Sequence, residues 1–129
     1  AIKAAAQEIA ASYGTQVEMH HYEPLFKDMR QDKRLLDLFK DVMTEFGETP
    51  RILPDDEADG STDVGNVSYE VPTAQPTLQI GLGLEAHTPE FTCAAGSDYG
   101  LAQAIKGAKI MAVVALRYAL LRDYLSFDI

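Results

Sequence analysis

The last quarter of this chain limits its fold more than any other part. From Ser97 to about Leu125 the residues read as one long Ala-rich helix that contains Gly100 and Gly107. Small side chains along such a helix let a neighbouring element approach closely, which suits packing against a sheet. The apolar run nowhere reaches the ~20 residues needed to span a bilayer, so a membrane is not an expected partner. The remaining segments must therefore supply the layer on which this helix rests.

Those segments alternate in type. Ile2, Ala5, Ala6, Ile9, Ala10 and Tyr13 recur at helical spacing over residues 1–13, and Gly14 follows as a stop. Thr15 to Tyr22 alternates, with Val17, Met19 and Tyr22 apolar, and predicts a strand that ends at Glu23-Pro24. Asp32 is a candidate N-cap for a helix whose apolar stripe runs through Leu35, Leu36, Leu38, Phe39, Val42, Met43 and Phe46 to Gly47. Arg51 to Pro54 reads as a short extended piece, and Asp55 to Asp59 as an acidic, turn-rich link. Val67–Val71 and Thr77–Ile80 predict two further strands joined through Pro72 to Pro76. The order helix, strand, helix, two strands, helix gives an α/β class, specifically an α+β fragment. A domain boundary is expected at residues 23/24, with 1–23 and 24–129 on either side.

With 129 residues the chain can form one domain with a real core, or part of a larger one. It opens Ala1-Ile2-Lys3 inside a helical pattern, as a portion of a longer chain would, or as a chain that has lost an initiator Met before Ala1. A net charge of −9 without a dense Lys/Arg cluster argues against nucleic acid as a partner. A single cysteine, Cys93, leaves no disulfide framework and points to a reducing, cytoplasmic setting.

Three groups could carry chemistry. His87 lies in Glu85-Ala86-His87-Thr88-Pro89, approached through Gly81-Leu82-Gly83-Leu84, and a neutral imidazole on such a loop is a natural zinc ligand. The string Gly60-Ser61-Thr62-Asp63-Val64-Gly65-Asn66 has the composition of a tight loop. It could present Ser61, Thr62, Asp63 and Asn66 to substrate, or hold a ligand imidazole from behind. His20 and His21 are adjacent on the expected strand, point to opposite faces, and read as structural or exposed. Cys93 reads as a small buried thiol. A calcium loop starting at Asp55 fails, because Glu57 stands at its third position and Asn66 stands where a bidentate glutamate is required.

Taken as an ordered set, the Gly60–Ser68 string, Val71-Pro72-Thr73, His87-Thr88 and Ala94-Ala95-Gly96-Ser97 resemble the M20 metallopeptidase/amidohydrolase family. The likeness is to its aminobenzoyl-glutamate hydrolase and β-alanyl-dipeptide hydrolase branch in particular. The start of the chain, up to Tyr22-Glu23-Pro24-Leu25, resembles the exit from that family's inserted lid (dimerisation) domain. The resemblance implies an α/β catalytic domain, of which this chain is the C-terminal portion. It also implies a homodimer and hydrolysis of an amide bond in acyl-amino acids or small dipeptides. Two zinc ions, with manganese or cobalt as alternatives, would serve the intact enzyme, and His87 matches the last metal ligand. Ser61, Thr62, Asp63 and Asn66 would support substrate or His87. The other ligands and the general-base glutamate precede the lid domain in the family, and no His-x-Asp or Glu-Glu pair occurs here. The chain alone is thus expected to be inactive without the N-terminal half. The competing reading is a non-catalytic interaction or dimerisation module that retains the fold.

Overall fold

The computed structural model describes residues 1–53 and 60–125, and these fold into five helices. They are α1 (Ile2–Ser12), α2 (Lys33–Glu45), α3 (Val64–Val67), α4 (Pro89–Ala95) and α5 (Asp98–Leu125). No strand occurs among the described residues, so the α/β expectation is corrected to an all-helical arrangement. The acidic link 55–59, and with it the first part of the rejected calcium loop, lies outside the described residues, as does Pro54.

Each expected strand fails for a physical reason. Residues 15–20 and 74–80 adopt no regular structure, and among the described residues no second backbone pairs with either in a ladder. Gln79 offers its carbonyl to the Gln103 side chain, which donates at 3.0 Å, and not to a neighbouring strand. Val67–Val71 coils instead. Ser68 N–H donates to Val64, Glu70 N–H to Val67 and Val71 N–H to Val67, while the Ser68 hydroxyl donates to Gly65 at 2.6 Å. Local three- and four-residue bonds have taken the backbone groups that a strand would leave for a partner.

The helices follow their sequence signals closely. Asp32 caps α2 by accepting from Leu35 N–H at 2.8 Å, and its own N–H donates to Thr73, tying α2 to the loop after α3. α1 stops where Gly14 turns left-handed at φ 64, and Thr15 N–H returns to Ala10. α4 escaped the sequence reading. Its signal was nonetheless present, with Thr88 as N-cap and Pro89 in the first turn.

The core forms where α5 crosses α2. Phe39, Val42 and Met43 of α2 meet Ile110 and Val114 of α5, with Leu35, Leu38, Phe46, Leu78 and Val113 packed around them. One α5 stripe, spaced seven, four and three residues apart through Gln103, Ile110, Val114 and Arg117, does this work. The start of α5 packs on α4 so closely that a Cβ at Gly100 would come within 2.3 Å of the Ala94 carbonyl. The long helix therefore rests on two helices and the irregular segment 74–80, where a sheet was expected.

Two ion pairs flank this core. Arg117 grips Glu45 with two nitrogens at 2.6 and 2.8 Å, and Lys106 donates to Glu48 at 2.5 Å. The Arg117 bonds hold the Glu45 carboxyl below the usual glutamate range, and the Lys106 bond does the same for Glu48. A lowered folded-state value means stability that is full above the unfolded glutamate value, about 4.3, and that fades as pH falls through the lower folded value. The melting temperature is accordingly expected to drop as the pH is lowered below the ordinary glutamate value. Glu45→Gln and Glu48→Gln should each flatten that drop when thermal unfolding is followed by circular dichroism. An unchanged pH profile in the double variant would remove these pairs from the account.

Much of the molecule stays uncovered. The accessible surface is 10726 Å², against about 6,700 Å² for a compact monomer of this mass. Leu101, Ile105, Met111, Leu116, Leu120 and Leu121 of α5 are exposed, and α1 packs on no other helix.

Candidate functional site

α3 organises the first candidate group. Thr62 Oγ1 accepts from Val64 N–H at 3.3 Å and starts the helical turn. Asp63 stands at the N-cap position, exposed, with no side-chain cap bond. Asn66 is a backbone clamp. Its Oδ1 accepts from Lys27 N–H at 2.7 Å, and its Nδ2 donates to the Leu25 carbonyl at 3.1 Å. Ser68 Oγ accepts from Arg30 N–H at 2.9 Å. Gly65 is buried against the same segment, and a Cβ there would stand 2.1 Å from the Lys27 carbonyl oxygen. The glycine, asparagine and serine of this string thus dock residues 25–30 onto α3.

Ser61 is exposed and lines an open cleft of about 380 Å³ together with His20, His21, Tyr22 and Leu25. The structure therefore gathers Ser61 with two histidines that sequence reasoning had set aside. The only bond of that pair among the described residues is a 3.4 Å contact of His20 with Glu18. A second, apolar groove of about 450 Å³ runs between α5 and residues 74–80.

His87 stands apart from both. It precedes α4, is exposed, and has a left-handed backbone at φ 65, the one non-glycine residue so placed among those described. A side chain in that region costs of order 1 kcal/mol, so the surroundings must hold it there. Thr88 does so. Its hydroxyl donates to the Glu85 carbonyl at 2.8 Å and accepts from Phe91 N–H at 3.2 Å, which fixes the turn on either side of His87. The imidazole itself has no hydrogen-bond partner among the described residues, so both ring nitrogens are free to donate or to ligate. Cys93, expected to be buried, is exposed on α4, a short helix that buries none of its residues.

As a single donor His87 fits a metal. The described residues contain no group of three His, Cys, Asp or Glu placed to hold one, so a complete centre would need ligands from elsewhere.

Part of the chain is similar to known dipeptidases. It is 44% identical over 57 residues to the Xaa-Arg dipeptidase of Mus musculus, and identical to the same degree to that of Homo sapiens. The match covers 44% of this chain but 13% of either dipeptidase, so the chain spans a small part of the relatives it resembles. No family model matches, and no solved structure matches. Among the described residues no helix is long and apolar enough to cross a membrane.

Proposed function

We propose that this chain is the C-terminal portion of a zinc-dependent amidohydrolase of the M20 type, acting on acyl-amino acids or small dipeptides. The observation that carries this reading is the 44% identity to dipeptidases over 57 residues. His87 adds to it, as an unpartnered imidazole held in a strained backbone by its own helix cap. Strain of this kind persists where the surroundings over-determine it, and it clusters at working sites. The exposed apolar rows on α5 and the large accessible surface fit a piece that buries more in a longer protein.

In this reading His87 supplies one metal ligand, and the remaining ligands and the general base come from an N-terminal half. A zinc ion held there by His87 and by ligands from that half would supply Lewis-acid polarisation of the amide carbonyl and a more acidic bound water. Ser61, Thr62 and Asp63 lie toward substrate, whereas Asn66 acts through the backbone it clamps. The lid-domain assignment of residues 1–23, the homodimer and the cytoplasmic setting belong to the same proposal. An arginine-ended dipeptide, as the relatives' name has it, is the first substrate to try.

The deciding experiment uses the intact protein. Hydrolysis of an Xaa-Arg dipeptide should vanish after a chelator removes the metal and return when zinc is added. Metal content measured on the same samples should track activity. Full hydrolysis by metal-free protein would defeat the proposal, and an intact protein that neither binds zinc nor hydrolyses would favour the interaction module.

A further inference from the structure

In this acidic chain four of the eleven basic residues, Lys27, Arg30, Lys33 and Arg34, fall within a few positions of one another. Lys33, Lys106 and Arg117 each sit on a carboxylate. Lys27 and Arg30 do not. Both instead lie over the ring of Tyr69, with the Lys27 Nζ 4.6 Å and the Arg30 Cζ 3.9 Å from its centroid. Among the described residues no carboxylate stands within ion-pair distance of either, although Asp28 adjoins Lys27 and Glu70 adjoins Tyr69 in the sequence.

The pair is held from below. Lys27 N–H is fixed by Asn66, Arg30 N–H by Ser68, and the Leu25 carbonyl by the Asn66 amide. Gly65 lets the Lys27 carbonyl approach α3 closely, and Tyr69 follows directly from that turn. Backbone and side chains are both pre-placed, so little freedom is lost when a ligand arrives. The ring face attracts the cations without using their N–H donors. Arg30 keeps a planar fork of donors and Lys27 a point charge, a combination that matches the two oxygens of a carboxylate.

We infer that Lys27, Arg30 and Tyr69 form a binding site for the carboxylate of a small organic acid. This goes beyond the hydrolase reading and does not depend on it, since neither His87 nor a metal takes part.

The test is an NMR titration of the chain at low ionic strength with a chelator present. N-acetylglycine is the probe and N-acetylglycinamide the uncharged control. The acid should shift the Arg30 Nε–H, the Lys27 side chain and the Tyr69 ring, while the amide leaves them in place. Binding should weaken at least tenfold in Lys27→Ala/Arg30→Ala. It should weaken several-fold in Arg30→Lys, which keeps the charge and loses the fork, and should be retained in Tyr69→Phe, which keeps the ring. Raising salt from about 0.01 M to about 0.15 M shortens the screening length from about 30 to about 8 Å and should weaken it further. Equal shifts from acid and amide, equal shifts from sulfate at matched ionic strength, or shifts that persist in the double alanine variant would each overturn the assignment. Because zinc is absent throughout, failure here leaves the hydrolase proposal standing, and failure of that proposal leaves this result intact.

Discussion

On the proposed hydrolase reading, replacing His87 in the intact protein is expected to abolish turnover without loosening the fold. Loss of a group that merely supports a metal ligand costs tenfold to a hundredfold, so loss of the ligand should exceed about a hundredfold in kcat/KM. The imidazole is exposed and bonds to nothing among the described residues, so no packing goes with it. The choice of substitute sharpens the test. Alanine keeps the cost of a left-handed backbone at φ 65, while glycine removes it. Relief of about 1–2 kcal/mol is set against about 0.4–1 kcal/mol of added freedom in the unfolded chain. His87→Gly should therefore be as stable as the parent or slightly more so, and still inactive. A variant that gains stability while losing function marks strain kept for a purpose. Near-normal hydrolysis by either variant, with zinc content unchanged, would remove His87 from the metal centre.

How much of this was visible in the residues depends on the range of the interactions involved. Three of the five helices among the described residues, α1, α2 and α5, were legible because their signals are local and long. Asp32 before the Leu35–Phe46 stripe, Gly14 after Tyr13, and the Ala-rich run from Ser97 each act within a turn or two. The strands were not, because a strand is completed by a partner that may lie anywhere in the chain. Val67–Val71 shows how alternation misleads. Val67, Tyr69 and Val71 alternate, yet Thr62 and Ser68 spend their hydroxyls on local backbone groups and coil the segment. At the site, the Gly60–Asn66 string stands out by composition, but the division of labour within it is not legible there. Only the fold shows Asn66 gripping Leu25 and Lys27 from some forty positions away, and Ser61 lining one cleft with His20 and His21. The strain at His87 was equally hidden, since Thr88-Pro89 announces a helix start and not the backbone of the residue before it.

Ile110→Ala is expected to break the junction of α5 with α2. Ile110 is 2% exposed and sits among Phe39, Val42, Met43 and Val114, with α4 touching α5 elsewhere, at its start. Truncating a buried isoleucine costs about 2–5 kcal/mol, because the lost transfer energy is joined by the cavity left behind. Small domains hold 5–15 kcal/mol in all, and a chain whose buried apolar side chains are so few belongs near the lower end. The loss should therefore consume most of the margin. The ion pairs Glu45–Arg117 and Glu48–Lys106 cannot compensate, since both are partly exposed and need the same two helices held together. Ile110→Val, which removes one methylene, should cost about 0.5–1.5 kcal/mol and leave a cooperative transition at lower temperature. In contrast, Leu116→Ala on the exposed face of the same helix should change stability by less than about 0.5 kcal/mol in this chain. Urea unfolding followed by circular dichroism separates the three. Equal losses for Ile110→Ala and Leu116→Ala would mean that the exposed face of α5 is itself covered in solution, and that the α2–α5 contact is not the principal core.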